Sequence, residues 1–168
     1  MKKYDCLFVG NAIVDVVANV SFEFLKDQNI DVGSWRPTKL DEISQLQNKM
    51  KDTLVASGGS AANSAVGFSF LGGKSSFIGR VKDDEFGNLY IKDLEEANVD
   101  FVSSAVKEGD ETGRCLVYVT PDAQRSMRTY LGAASNLSPD EINDQSVEDS
   151  EFIYMEGYLW DEPVAKEA

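Results

Sequence analysis

The chain has 168 residues, enough for one domain with a sizeable core. An apolar share of 42% fits a globular chain, and a formal net charge of −13 argues against a general nucleic-acid binder, which needs a basic face. No histidine is present, which excludes histidine triads, histidine zinc sites and imidazole general bases.

Tyr4 to Val9, YDCLFV, is a short apolar run ending at Gly10 and predicts a buried first strand. The N-terminal MKKYDCLFVGN lacks a signal peptide's apolar region and cleavage site, and no apolar stretch reaches membrane-spanning length. A cytoplasmic protein with no membrane partner is therefore expected. Ala12 to Val20, AIVDVVANV, is β-branched and apolar but carries Asp15. Residues 31–38 read as loop or edge strand, punctuated by Gly33 and Pro37. Leu40, Ile43, Leu46 and Met50 have helical spacing, and Thr53 to Ala56 is a strand leading into a glycine loop.

That loop opens the most informative stretch, GGSAANSAVGFSFLGG at residues 58–73. Gly58 and Gly59 allow a tight turn with no side chain between backbone and ligand. Ser60 is expected to cap the helix from Ala61 to Leu71, whose N–H groups and positive dipole end then face whatever lies over the loop. Asn63, one turn in, both donates and accepts hydrogen bonds, which suits a small polyhydroxylated ligand. A strand–turn–helix joint without any ligand is the plainer alternative.

Further along, Ser75 to Gly79 predicts a strand and Asp84 to Ala97 a helix, with Asp83 or Asp84 as its cap rather than as a metal ligand. Val99 to Val106 reads as extended. Gly113 to Thr120 and Arg125 to Leu131 predict two strands joined by the turn Pro121-Asp122-Ala123-Gln124. Ser138-Pro139-Asp140-Glu141 has the pattern of a helix start with a capping box. Phe152 to Met155 predicts another buried strand, and Asp161-Glu162-Pro163 another helix start close to the last residue. Cys6 and Cys115 form no CxxC pair and read as buried, reduced thiols.

Strands alternating with helices predict an α/β fold with a mostly parallel sheet, and the strands that break the alternation predict a small second β-layer. Gly72-Gly73-Lys74-Ser75 imitates the end of a P-loop, but the required upstream glycine is Phe68 and the segment follows a helix instead of opening one. No dinucleotide fingerprint follows the first strand. Asp15 is costly in an apolar strand unless it is paired, solvated or facing a ligand. It lies beyond a strand's carboxyl end, where open α/β sheets bind ligands, or else on the outer face of a half-exposed strand. Arg125 and Arg128 should fall on opposite strand faces. Glu156 follows an apolar strand and reads as a site residue or a cap.

Taken together, VGNAIVD (9–15), the 58–73 stretch, IGRVKDDEFG (78–87), TGRCLVYVTPDAQRSMRTYLGA (112–133) and MEGYLWD (155–161) resemble the ribokinase-like, or PfkB, family of carbohydrate and nucleoside kinases. The 112–133 segment is most similar to the adenosine-kinase-type branch. The resemblance implies a three-layer α/β/α sandwich, its C-terminal part missing, with a β-sheet lid. The whole chain, residues 1–168, would be the N-terminal portion of one kinase domain, with lid strands near 12–20, 31–38, 99–120 and 125–131. It implies transfer of the ATP γ-phosphate to a primary hydroxyl of a sugar or nucleoside, with ATP and Mg2+ as cofactors of the full-length enzyme. By the same resemblance Asp15 binds sugar hydroxyls from the lid, Gly58, Gly59 and Asn63 line the pocket, and Asn11 is an adjacent polar residue. Arg125 matches a basic lid position near the reacting centre, and Glu156 is a sugar contact. Arg128 receives no role.

The family's second signature, an aspartate–glycine loop of the D-T-x-G-A-G-D type holding the catalytic base and anion hole, has no match here. Phosphoryl transfer is mainly positioning and electrostatic stabilisation around phosphates and magnesium. The chain is therefore expected to be a substrate-and-lid half that is inactive alone and binds neither ATP nor Mg2+. The alternatives are a non-catalytic module binding a sugar or nucleoside, and a domain whose exposed lid strands serve only to pair two copies.

Overall fold

A computed structural model of the chain describes residues 2–161 and 163–168. The chain runs β1 (Tyr4–Val9), β2 (Ile13–Asn19), α1 (Phe22–Asp27), β3 (Trp35–Pro37), α2 (Leu40–Gln47), β4 (Leu54–Gly58), α3 (Ser60–Phe70), β5 (Ser75–Ile78) and α4 (Glu85–Glu96). It continues through β6 (Val99–Phe101), β7 (Gly113–Val119), β8 (Arg125–Tyr130), α5 (Asp144–Glu148), β9 (Ser150–Met155) and α6 (Pro163–Glu167). Single 3-10 turns cover Gly132–Asn136, Pro139–Glu141 and Gly157–Asp161. Of the helix start at Asp161-Glu162-Pro163, Glu162 lies outside the described residues.

One sheet is entirely parallel, in the order β6-β5-β1-β9. β1 and β5 at its centre are short apolar runs because both of their faces are covered. On one face Cys6, Phe8 and Phe77 pack against Ala61, Ala62 and Ala65 of α3 and Tyr90 and Leu94 of α4. The alanines let α3 lie close to the strands. On the other face Leu7, Val9 and Ile78 pack against Leu137, Leu159 and Ala165. These are the three layers expected from the sequence.

The second sheet has the order β3-β8-β7-β2-β4 and forms the expected lid. β2 runs parallel to β7 and antiparallel to β4, while β8 is antiparallel to β7 and parallel to β3. Side chains alternate across its two faces. Val16, Ala18, Leu116 and Tyr118 bury one face against Leu25 of α1 and Ile43 and Leu46 of α2. The opposite face therefore carries Ile13, Asp15, Cys115, Met127 and Thr129. Arg128 falls on the helix side, buried, donating to Ser34 Oγ (3.2 Å), whereas Arg125 is exposed on the other face.

Several details correct the sequence reading. Val99–Phe101 pairs with β5 in the parallel sheet, so only Gly113–Val119 of the 99–120 segment is lid. β4, expected only as the strand before the glycine loop, pairs with β2 and is a lid strand too. α1 was not anticipated; Ser21 Oγ accepts from Phe24 N (3.1 Å) at its start, and the Ser21-to-Leu25 spacing was its signal. The capping box at Ser138 and Glu141 closes one 3-10 turn and no longer helix, because Ile142 returns to extended backbone. β9 is not buried: Phe152 is 67% and Met155 56% exposed. Among the described residues it is an edge strand, paired with β1 alone.

Asp84 is the cap of α4, as expected. Its Oδ1 accepts from Gly87 N (2.8 Å) and Thr112 Oγ1 (2.7 Å), and its Oδ2 from Thr112 N (2.9 Å). One carboxylate thus fastens the helix start to the segment leading into β7. Asp84→Ala is expected to cost roughly 2 kcal/mol, read from urea unfolding midpoints. A loss below about 0.5 kcal/mol would show that the cap contributes little here.

Candidate functional site

β1 leaves the parallel sheet at Gly10-Asn11 and enters the lid as β2, and β4 leaves the lid at Gly58-Gly59 to begin α3. Both crossings occur at the carboxyl end of β1, beside the end of β9. They enclose a cavity of about 500 Å³ between the lid and the parallel sheet. Asn11, Asp15, Gly59, Ser60 and Glu156 contribute polar groups to its wall, and Ile13, Trp35, Met127 and Leu131 an apolar side.

Gly59 is required by the backbone. Its φ of +92° is left-handed, and a Cβ there would stand 2.5 Å from Asn11 O. Gly59, not Ser60, is the cap residue of α3. Ser60 instead donates its hydroxyl to Glu156 Oε2 (2.5 Å). Gly58 makes room for the carboxylate opposite it: a Cβ would meet Asp15 Cγ at 2.5 Å. The buried Tyr90 hydroxyl donates to Gly58 O (3.3 Å) and holds this turn from beneath.

Asp15 lies in β2 between Ala56 and Cys115 on the neighbouring strands. It is half-buried and makes no side-chain hydrogen bond among the described residues. Its carboxylate faces the cavity. Burial pushes the Asp15 carboxyl above its ordinary value of 3.8, against the pull of the Arg125 guanidinium. A half-buried acceptor held in this way, without a donor among the described residues, is suited to hydroxyl groups brought by a ligand.

Glu156 is 4% exposed, and its two oxygens meet four donors. Oε1 accepts from Asn11 N (2.6 Å) and Asn11 Nδ2 (2.7 Å). Oε2 accepts from Ser60 Oγ (2.5 Å) and Ala61 N (3.1 Å). One side chain thereby ties the end of β9 to the β1–β2 turn and the first turn of α3. The positive end of α3, expected to face a ligand, faces this carboxylate.

Of the residues singled out from sequence, Asn11, Asp15, Gly59 and Glu156 line the cavity, with Gly58 directly behind Asp15. Asn63 stands exposed on α3 outside the lining, and Arg125 lies farther along the lid face, also outside it. Ile13, Cys115, Met127, Thr129 and Leu131 were missed. Their signal was strand alternation in register with Asp15, which becomes visible once Cys115 and Thr129 are known to be cross-strand partners. Trp35 Nε1 donates to Thr129 Oγ1 (3.1 Å), which donates to Cys115 Sγ (3.2 Å). Burial pushes the Cys115 thiol up to about 11, so it is a neutral part of the wall. Both cysteines are buried and free, as expected.

The sequence profile of the pfkB family of carbohydrate kinases matches residues 29–168. Probable fructokinase-2 of Arabidopsis thaliana is 35% identical over 92 residues, which span 54% of this chain and 28% of the plant protein. Among solved structures, a probable sugar kinase from Rhizobium etli CFN 42 superposes with a TM-score of 0.91 at 39% identity, covering 100% of this chain and 51% of that one. Adenosine kinase from Sinorhizobium meliloti superposes with a TM-score of 0.89 at 40% identity, covering 98% and 50%. The chain thus spans about half the length of these solved kinases.

Proposed function

The chain belongs to the pfkB family of carbohydrate kinases, and we propose that it forms the substrate pocket and lid of a kinase that phosphorylates a primary hydroxyl of a sugar or nucleoside with ATP. The observation that carries this reading is Asp15, a half-buried carboxylate that has no donor among the described residues and faces a cavity of about 500 Å³. Its two oxygens would take vicinal hydroxyls, with Asn11 and the α3 start as the opposing polar wall. The lid face would cover the ligand and exclude water.

The family's nucleotide and metal fit poorly onto the residues of this chain. Among the described residues no three acidic, cysteine or histidine side chains gather to hold a metal ion. The N-terminus of α3 is filled by Glu156, and that of α4 by Asp84. On this reading phosphate donor, metal and catalytic base are supplied by sequence other than this chain's. The exposed apolar edge of β9 is the natural surface for that remainder to join. On this reading the 168 residues bind substrate without turning it over.

The second reading, a non-catalytic module for the same ligands, draws support from that unfitness for phosphates. Calorimetric titration with adenosine, ribose and fructose, alongside an ATP-dependent phosphorylation assay, separates the two. Binding by this chain with activity in the native protein from its source supports the kinase half. Binding with no activity in that native protein supports the module, and no binding of any of the three overturns both.

Trp35 bears on the choice between sugar and nucleoside. It is 58% exposed at the cavity rim although it is a large aromatic, and a flat base could stack there. Trp35→Ala is expected to weaken adenosine binding roughly tenfold and ribose binding far less. Equal losses for both ligands would remove stacking as the cause.

A further inference from the structure

The charged groups of the cavity wall are of one sign. Asp15, Glu156 and Asp161 line it, and among the described residues no lysine or arginine does. Arg125, on the same lid face, stands outside the lining and acts on Asp15. The backbone N–H groups of Asn11 and Ala61, the Asn11 amide and the Ser60 hydroxyl all point at one spot, at the positive end of α3. Such a convergence of donors would hold a phosphate or carboxylate brought by a ligand. Here the chain's own carboxylate occupies it, through four hydrogen bonds of 2.5 to 3.1 Å.

We propose that Glu156 is a specificity-determining residue: by filling the anion position at the start of α3 with a fixed carboxylate, it restricts the cavity to uncharged hydroxylated ligands and rejects those carrying a phosphate or acid group. The proposal rests on the cavity being the substrate pocket. Glu156 needs no contact with the ligand for this role. Its charge repels a second anion, and its oxygens consume the donors that an anion would use. Asp15 then binds hydroxyls in a wall that offers an anion no counter-charge.

The test uses inorganic phosphate as a probe of the α3 position, and ribose against ribose 5-phosphate as a probe of discrimination. Glu156→Ala leaves four converging donors and a space. Phosphate is expected to raise the thermal midpoint of Glu156→Ala and not that of the parent chain, with formate acting similarly. The parent chain should bind ribose about tenfold or more tightly than ribose 5-phosphate, and the variant should lose that preference. Glu156→Gln keeps the volume and removes the charge, so it reports the same change in preference if the alanine variant does not fold. A folded Glu156→Ala indifferent to phosphate, or a parent chain that binds both ribose compounds equally, overturns the proposal. If the parent chain binds neither ribose nor adenosine, the substrate-pocket reading fails, while the phosphate response still decides what Glu156 occupies. A merely structural role for Glu156 predicts lost stability with no gain of anion binding.

Discussion

Asp15→Asn is expected to weaken sugar or nucleoside binding about a hundredfold or more while leaving the chain at least as stable at neutral pH. The first effect follows from removing a charged acceptor of two hydroxyl hydrogen bonds, each charge-assisted bond contributing roughly 1.5–3 kcal/mol. The second follows from linkage. Burial raises the Asp15 carboxyl above 3.8 in the folded chain, so on raising the pH the unfolded chain releases this proton first. Between the unfolded and folded values the native state holds more protons, and stability falls as pH rises through that window. Above it the buried charge is a net cost, which asparagine removes. Calorimetry and thermal melts at pH 4 and pH 7 check both halves. Ligand binding retained by the variant would show that the carboxylate is not the hydroxyl acceptor. A variant less stable than the parent at pH 7 would show that Asp15 has a structural partner.

Gly59→Ala is expected to cost roughly 4 kcal/mol of stability and to abolish ligand binding in whatever remains folded. At φ +92° an L side chain is strained, and its Cβ would stand 2.5 Å from Asn11 O, a backbone atom that cannot swing aside. Relief requires moving the β1–β2 turn, which carries Asn11 and, four residues on, Asp15. The β4–α3 turn and the β1–β2 turn are therefore one mechanical unit, fastened a second time by Glu156. Urea unfolding followed by calorimetry at a temperature where the variant is folded reads both effects. A loss under about 1 kcal/mol with binding intact would show that the crossing yields easily.

Much of this architecture was legible in the residues. YDCLFV, SSFI and the alternating IVDVVAN declare strands because apolar runs and period-two patterns have few other stable uses. The glycine pair declared a turn, and Asp84 a helix cap. Asp15 was recognisable as costly where it stood, although the strand pattern alone left open whether it met solvent or ligand. The segments misjudged are those whose local pattern was ambiguous. Val99–Phe101 has three residues and no alternation long enough to say which sheet it joins. Phe152 to Met155 reads as a core strand by composition, and among the described residues only β1 pairs with it, which leaves its other side open.

Pairing and register are non-local, and that divides what sequence determined from what tertiary structure decided. By itself the sequence determined the elements, the positions that only glycine tolerates, the exclusion of histidine chemistry and the placement of Asp15 just beyond a strand's carboxyl end. Tertiary structure decided which side chains share the cavity, because Trp35, Cys115 and Met127 reach Asp15 only through the lid order β3-β8-β7-β2. It also decided the part played by Glu156. A glutamate after an apolar strand can cap, contact a ligand or meet water. Burying it among four donors from two distant turns made it a fixed internal anion, since a carboxylate withdrawn from water must recover its hydrogen bonds from the protein that encloses it.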